Sequence, residues 1–464
     1  MRPFSMRDKL GYTLGDLGCC CTEQFRAMYL SVFYTLILQV NPFHIGILML
    51  ITKIWDAVND PIIGAIVDSR KATKGGKFIP WIRAFSFPMA VLCILGFVNV
   101  SNLAYGLRLA YMFVTYVLYE ALYTCVNVPF GTLSSVMTDD VRHRTALSRY
   151  RSLGGTIFMT VIVMVGPLVL YVDNKPVAGR FLMLASVFAL IGLLCLQITC
   201  VWCKERVAVP ERPKGEKLNY LHVIKEIAKN KALLGVMFFS LVGMIASVVN
   251  GLNTYLFKDY FGNVKIMAVS GGLSVLYSLI TFAITQPLAD KLGKKEWCCW
   301  GAGFAAAVFA LLFFFPIHNP VLFIVINGVC YLGASGMQVL IWAMVNDSID
   351  YHELQTGERN EGIVYSTYSF FRKLASAVSG SLSSFVLGFI GYNVAEGAMQ
   401  TAEVSNAIWK SYTGIYVLGY GVAVAILFFV YPLTKAKTTE MLEQLKARRA
   451  EKASAVETDG EQCP

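Results

Sequence analysis

Pro287-Leu288-Ala289-Asp290-Lys291-Leu292-Gly293-Lys294-Lys295 closes one long apolar run and opens the next. Gly64-Ala65-Ile66-Val67-Asp68-Ser69-Arg70-Lys71 does the same in the first half of the chain. Each segment is the end of an apolar helix, an Asp, a tight turn and a basic cluster. The two stand at equivalent places in the two halves of the sequence, which makes them a weak internal repeat. Two readings stay open: Asp68 and Asp290 with their basic neighbours latch a gate, or the Lys and Arg residues simply hold the loops on one side of a membrane.

Outward from these loops, the chain divides into apolar stretches of about the ~20 residues that a spanning helix needs. There are twelve, near residues 12–38, 44–67, 81–101, 107–135, 150–172, 179–202, 232–257, 266–289, 297–317, 320–346, 362–391 and 408–432. Those holding Asp56 and Lys373 are interrupted by polar residues. Basic residues test the count. With both ends on the cytoplasmic side, 29 of the 40 Lys and Arg fall on inner segments and about five on outer loops. Missing one span would scramble that split. The expectation is an all-α membrane protein of twelve transmembrane helices. Residues 1–202 form an N-terminal six-helix half, 203–231 a basic cytoplasmic linker, 232–432 a C-terminal half, and 433–464 a charged cytoplasmic tail with a short surface helix.

Composition agrees. Of 464 residues, 56% are hydrophobic and 15% charged, against ~25% charged in soluble domains, and mean hydropathy is +0.56. Water cannot be the solvent for so much apolar surface, which excludes a cytosolic enzyme, a disordered scaffold and a secreted disulfide module. The net charge of +10 is spread over short loops, so no nucleic-acid partner is expected. Most of the twelve cysteines lie in apolar stretches, including Cys19-Cys20-Cys21, and read as small helix-filling residues; Cys200-x-x-Cys203 has no second pair. No cleavable signal peptide is visible. Gly154-Gly155 and Gly271-Gly272 lack the Lys-Ser/Thr of a phosphate loop, so no ATP-driven step and no cofactor are expected.

An ionisable residue at membrane depth costs at least ~2.5–3.5 kcal/mol and marks a pathway for ions or substrate. The densest set is Lys53-Ile54-Trp55-Asp56-Ala57-Val58-Asn59-Asp60-Pro61. Positions 53, 56 and 60 share a helix face, and 56, 59 and 60 lie one turn apart. Two carboxylates and an amide carbonyl suit a hard monovalent cation such as Na⁺, or a proton shared between the acids. Lys53 offsets part of the charge when the cation is absent. An ion-pair lock between helices, with no cation, is the competing reading. Glu23, Gln24 and Arg26 in span 1, Glu120, Thr124 and Asn127 in span 4, and Tyr368, Arg372 and Lys373 in span 11 can line a polar cavity, or can serve helix–helix hydrogen bonding instead. Asp347 and Asp350, facing Arg142 and Arg144 on the loop after span 4, form an inward gate or an ordinary solvated loop.

Trp55-Asp56-Ala57-Val58-Asn59-Asp60-Pro61, followed by Gly75, Lys77-Phe78 and Pro80-Trp81, resembles the glycoside–pentoside–hexuronide:cation symporters of the major facilitator superfamily. The resemblance continues through Tyr123-Thr124, Asn127-Val128-Pro129-Phe130, Arg144-Thr145-Ala146-Leu147, Tyr150-Arg151, Asp347-Ser348-Ile349-Asp350-Tyr351, Tyr368-Ser369-Phe370-Phe371-Arg372-Lys373-Leu374 and Tyr431-Pro432-Leu433, and covers residues 7–450. It implies the major facilitator fold, two halves rocking about a central cavity, and coupled uptake of a sugar or glycoside with Na⁺, H⁺ or Li⁺. It places the cation site on Asp56, Asn59, Asp60 and Thr124, and a lysine near both sites on Lys373. Family sugar positions fall on Cys20, Asn127 and Gln338, with Glu23 at an otherwise apolar position. A Lys-Asp pair of the family falls on Cys19-Cys20, so those contacts change. The expected function is a cation-coupled secondary active symporter in the plasma (inner) membrane. Its partners are a small sugar or glycoside, a monovalent cation and membrane lipid, with no obligate protein partner. Alternatives are a carrier of the same superfamily for a lipid or drug, and a transporter-like sensor; an enzyme is not expected.

Overall fold

The computed structural model describes residues 3–69, 75–138, 140–207, 230–246, 248–356, 368, 379, 381–395 and 399–460. The chain forms two compact units: Met1–Lys214 with Gly251–Gly272 and Gly380–Ile408, and Gly215–Asn250 with Leu273–Ser379 and Trp409–Pro464.

The first unit contains α1 (Met6–Leu36), α2 (Pro42–Ser69), α3 (Ile79–Leu95), α4 (Tyr105–Met137), α5 (Val141–Leu170) and α6 (Ala178–Trp202). A capping box opens α1, where the Ser5 amide donates to Asp8 Oδ2 at 3.0 Å. α1 packs on α5 and α6, and α4 on α2 and α3. Small residues set the closest approach: a Cβ added at Gly18 would stand 2.8 Å from the Gly192 carbonyl oxygen, the device that packs helices where lipid provides no hydrophobic drive. Phe25, Phe33, Phe97, Phe181 and Phe188 fill the interior with tilted and edge-on ring contacts.

Beyond α6, residues 203–207 knit the helix ends together. Glu205 accepts the backbone N–H groups of Lys77, Phe78 and Ile79, each at 2.8 Å, and so caps α3 with a full charge. Gly76, at φ +102°, turns the chain beneath that carboxylate, where any Cβ would collide with it. Arg206 reaches the fully buried Asp8 at 2.9 Å, and its backbone N–H meets the Val136 carbonyl at 2.7 Å.

At the other end, strands β1 (Tyr171–Val172) and β2 (Lys175–Pro176) form an antiparallel hairpin whose tip, Asp173-Asn174, is left-handed. The Asn174 amide donates to the Lys258 carbonyl and accepts from Val264 N–H, both at 2.9 Å. Lys258 lies in a π-helical turn, Leu256–Tyr260, that ends helix α8 (Val249–Tyr255).

The second unit holds α7 (Lys231–Ala246), most of α9 (Ile266–Leu292), α10 (Lys294–Phe314), α11 (Pro320–Ala334), α12 (Gly336–Thr356), most of α13 (Ala402–Phe429), and α14 (Lys435–Gly460). α10 packs on α11 through the facing Gly301 and Gly333, and α12 on α7. The tail helix α14 lies on α12, tied by Arg448 to the Leu354 carbonyl at 3.0 Å.

Eight helices among the described residues are long and apolar enough to cross a membrane. α1 (31 residues) and α2 (28 residues) are long enough but carry charges in mid-span, and α3 has 17 residues. Large side chains on the outside are apolar, with Phe282 and Trp300 each 74% exposed, a surface that lipid can solvate and water cannot.

Candidate functional site

α2 presents Lys53, Asp56, Asn59 and Asp60 on successive turns toward α4, its main packing neighbour. Thr124 on α4 donates its hydroxyl to Asp60 Oδ1 at 3.0 Å, tying the two helices together. Lys53 Nζ stands 3.1 Å from Asp56 Oδ2. The other carboxylate oxygen, Asp56 Oδ1, is buried without a hydrogen-bond partner, as is Asn59 Nδ2. A buried oxygen left unmatched is costly unless something occupies it. Four residues of two helices thus supply carboxylate, amide and hydroxyl oxygens, the donor set of a hard cation.

A second charged layer adjoins this one. Arg26 on α1 reaches Glu120 on α4 at 3.3 Å, with both side chains about 96% buried. The Arg26 guanidinium carbon lies 3.5 Å from the Tyr119 ring centre and 4.7 Å from that of Tyr116, so the cation is held by π faces as well as by the carboxylate. Glu23, three residues earlier, has its Oε2 buried with no hydrogen-bond partner.

A third group runs along α1 toward α5. Asp16 accepts Arg151 Nε at 3.1 Å and the Gly155 N–H at 2.9 Å. Cys20 Sγ donates to Asp16 at 3.8 Å and accepts from Gln24 Nε2 at 3.4 Å. Asp16, Cys20 and Gln24 are spaced i, i+4, i+8 and form a polar ladder. Sequence reading named Cys20 and overlooked Asp16, although a carboxylate one turn before Cys20 in an apolar span was the available signal.

The remaining expected residues distribute as follows. Asn127, half-buried, sits one turn beyond Thr124 on α4. Gln338 is exposed on α12 in the second unit. Asp347 is taken by Lys294 of that same unit at 2.8 Å through both oxygens. Asp350 is half-buried one turn later on α12, and Asp290 accepts from Gln286 at 2.9 Å. Asp68, Arg142 and Arg144 lie on α2 and α5, with side chains outside the described residues; Arg372 and Lys373 lie outside them altogether. The thiols of Cys200 and Cys203 donate to different backbone carbonyls, those of Ile79 and Asp8, both at 3.7 Å.

A sequence profile of the family described as MFS/sugar transport protein matches residues 11–435. The chain belongs to that family. It is 32% identical to an uncharacterised symporter of Bacillus subtilis (strain 168), over 95% of both chains. It is 29% identical to the isoprimeverose transporter of Lactiplantibacillus pentosus, over 97% of this chain and 93% of that one. Among solved structures, a D-xylose–proton symporter shares the fold at a TM-score of 0.61 and 14% identity, covering 93% of this chain and 98% of that one. The protein is a multi-pass membrane transporter of the major facilitator superfamily and not an enzyme.

Proposed function

We propose that this major facilitator is a cation-coupled symporter that imports a sugar or glycoside by alternating access. In this reading it sits in the plasma (inner) membrane with both termini cytoplasmic. Similarity to an isoprimeverose transporter and to a glucuronide carrier homologue of Escherichia coli supports the substrate class. The observation that carries the coupling is the oxygen set of Asp56, Asn59, Asp60 and Thr124, in which one buried carboxylate oxygen has no partner. Na⁺ or a proton there neutralises acids at membrane depth and stiffens the α2–α4 pair. That raises affinity for the sugar, and by linkage the sugar raises affinity for the cation. Glu23, Cys20, Asn127, Gln338 and Lys373 are the sugar-facing candidates. Lys53, Asp68, Asp290, Asp347, Asp350, Arg142, Arg144 and Arg372 are those for coupling and gating.

Purified protein in proteoliposomes, given an inward Na⁺ gradient or a pH gradient and a panel of labelled glycosides, tests this reading. Concentrative uptake of at least one glycoside that collapses with the ion gradient is expected. Asp56→Cys is expected to abolish accumulation while leaving expression intact; normal accumulation by that variant removes Asp56 from the cation site.

A further inference from the structure

Lys53 has one carboxylate in hand and others nearby. Its ammonium holds Asp56 at 3.1 Å, and the other acids in its electrostatic neighbourhood are Glu120 and Glu23. Glu120 is already engaged: Arg26 binds it at 3.3 Å, and Arg26 is itself fixed against the Tyr119 and Tyr116 rings. Glu23 is not engaged in this way. Its Oε2 is buried and unpartnered, and the charges around it are Glu120 from α4, Lys53 and Asp56 from α2, and Arg26 from its own helix.

A cation that binds Asp56 competes with the Lys53 ammonium for that carboxylate. An ammonium displaced at membrane depth is drawn to the nearest carboxylate that no other base holds. A lysine on a flexible four-carbon stem can change partners without moving the backbone. Resting on the cation-coupled reading above, we propose that Glu23 is the relay carboxylate of the coupling step. When a cation occupies Asp56, Lys53 passes from Asp56 to Glu23, and it returns when the cation leaves. The α1–α2 ion pair then exists only in the loaded state, so cation occupancy is converted into a new tie between two helices. Glu23 in this role positions Lys53 and touches neither cation nor sugar, which takes it out of the sugar-facing set named above.

A double-mutant cycle tests the relay. The readout is cation-dependent thermal stabilisation of the purified full-length protein, titrated with Na⁺, with Li⁺, and with pH steps in choline chloride. In the wild-type background, Glu23→Gln is expected to raise the half-stabilising cation concentration about tenfold or more, because Lys53 is stranded when the ion binds. In a Lys53→Gln background the same change is expected to have less than about a twofold effect, since nothing is displaced. Glu23→Asp retains most of the wild-type affinity. The relay is overturned if Glu23→Gln leaves the wild-type affinity within about twofold, or weakens it equally in both backgrounds, which would make Glu23 a direct cation ligand. If Glu23→Gln alone does not yield folded protein, the double variant decides. Cation affinity matching Lys53→Gln supports the relay, and a lower affinity overturns it. A wild-type protein stabilised by none of the three cations overturns the symport reading together with the relay; a responsive wild type with an indifferent Glu23→Gln overturns the relay alone.

Discussion

Asp56 and Asp60 sit one turn apart on the same helix, yet their surroundings differ. Asp60 accepts the Thr124 hydroxyl, while Asp56 shares one oxygen with Lys53 and keeps the other unmatched. That asymmetry makes Asp56 the more exchangeable of the two acids, because its present partner is a flexible lysine on its own helix rather than a hydroxyl fixed on a neighbour. Asn127 stands one turn beyond Thr124 on the same α4 face. Asn127→Ala is expected to raise the apparent KM for the transported glycoside by about tenfold, the value of one lost hydrogen bond. Half-activation by the cation should move by less than about twofold, since the change leaves Thr124 and Asp60 in place. Paired substrate and cation titrations of uptake check this, and an unchanged KM takes Asn127 out of the sugar site.

The helices show why a polar span survives in a bilayer. α1 carries Asp16, Glu23 and Arg26 in mid-span and α2 carries Lys53, Asp56 and Asp60; α1 is sheathed by α4, α5 and α6 while α2 is backed by α4. Asp16 meets Arg151 and the Gly155 N–H of α5, and Asp60 meets the Thr124 hydroxyl of α4. The segment after α6 plays a comparable part at the helix ends. Three charge-assisted hydrogen bonds converge on Glu205 from the start of α3. Glu205→Gln keeps the shape but halves the accepting oxygens and removes the charge. The expected loss is about 2 kcal/mol, seen as a lower thermal midpoint in detergent. An unchanged midpoint would mean that solvent replaces the carboxylate at the α3 end.

For the molecule as a whole, the proposed orientation, drawn from the distribution of Lys and Arg, has the 203–207 segment and α14 inside and the Asp173-Asn174 hairpin outside. A cysteine introduced at Asp173 is expected to react with a membrane-impermeant maleimide in intact cells. One at Lys437 is expected to react only after permeabilisation. The described native cysteines are buried or half-buried, and Cys463 is replaced by Ser so that the introduced thiol is the one read. The reversed pattern would invert the topology and place the Glu205 cap outside.

Much of this could be read from amino-acid order alone. Apolar length and basic-residue bias fix a bundle of spanning helices, because lipid requires every backbone group to be paired within its own segment. The i, i+3, i+4 spacing of Asp56, Asn59 and Asp60 marks one face of one helix for the same reason. Partners distant in the chain were another matter. Thr124 and Asp60 are 64 positions apart, Arg26 and Glu120 are 94, and Arg151 and Asp16 are 135. No periodicity encodes those pairings. They are decided by which helix packs on which, through close glycine contacts and interlocked aromatic rings. It was that packing that engaged Glu120 and left Glu23 with an unmatched oxygen beside Lys53.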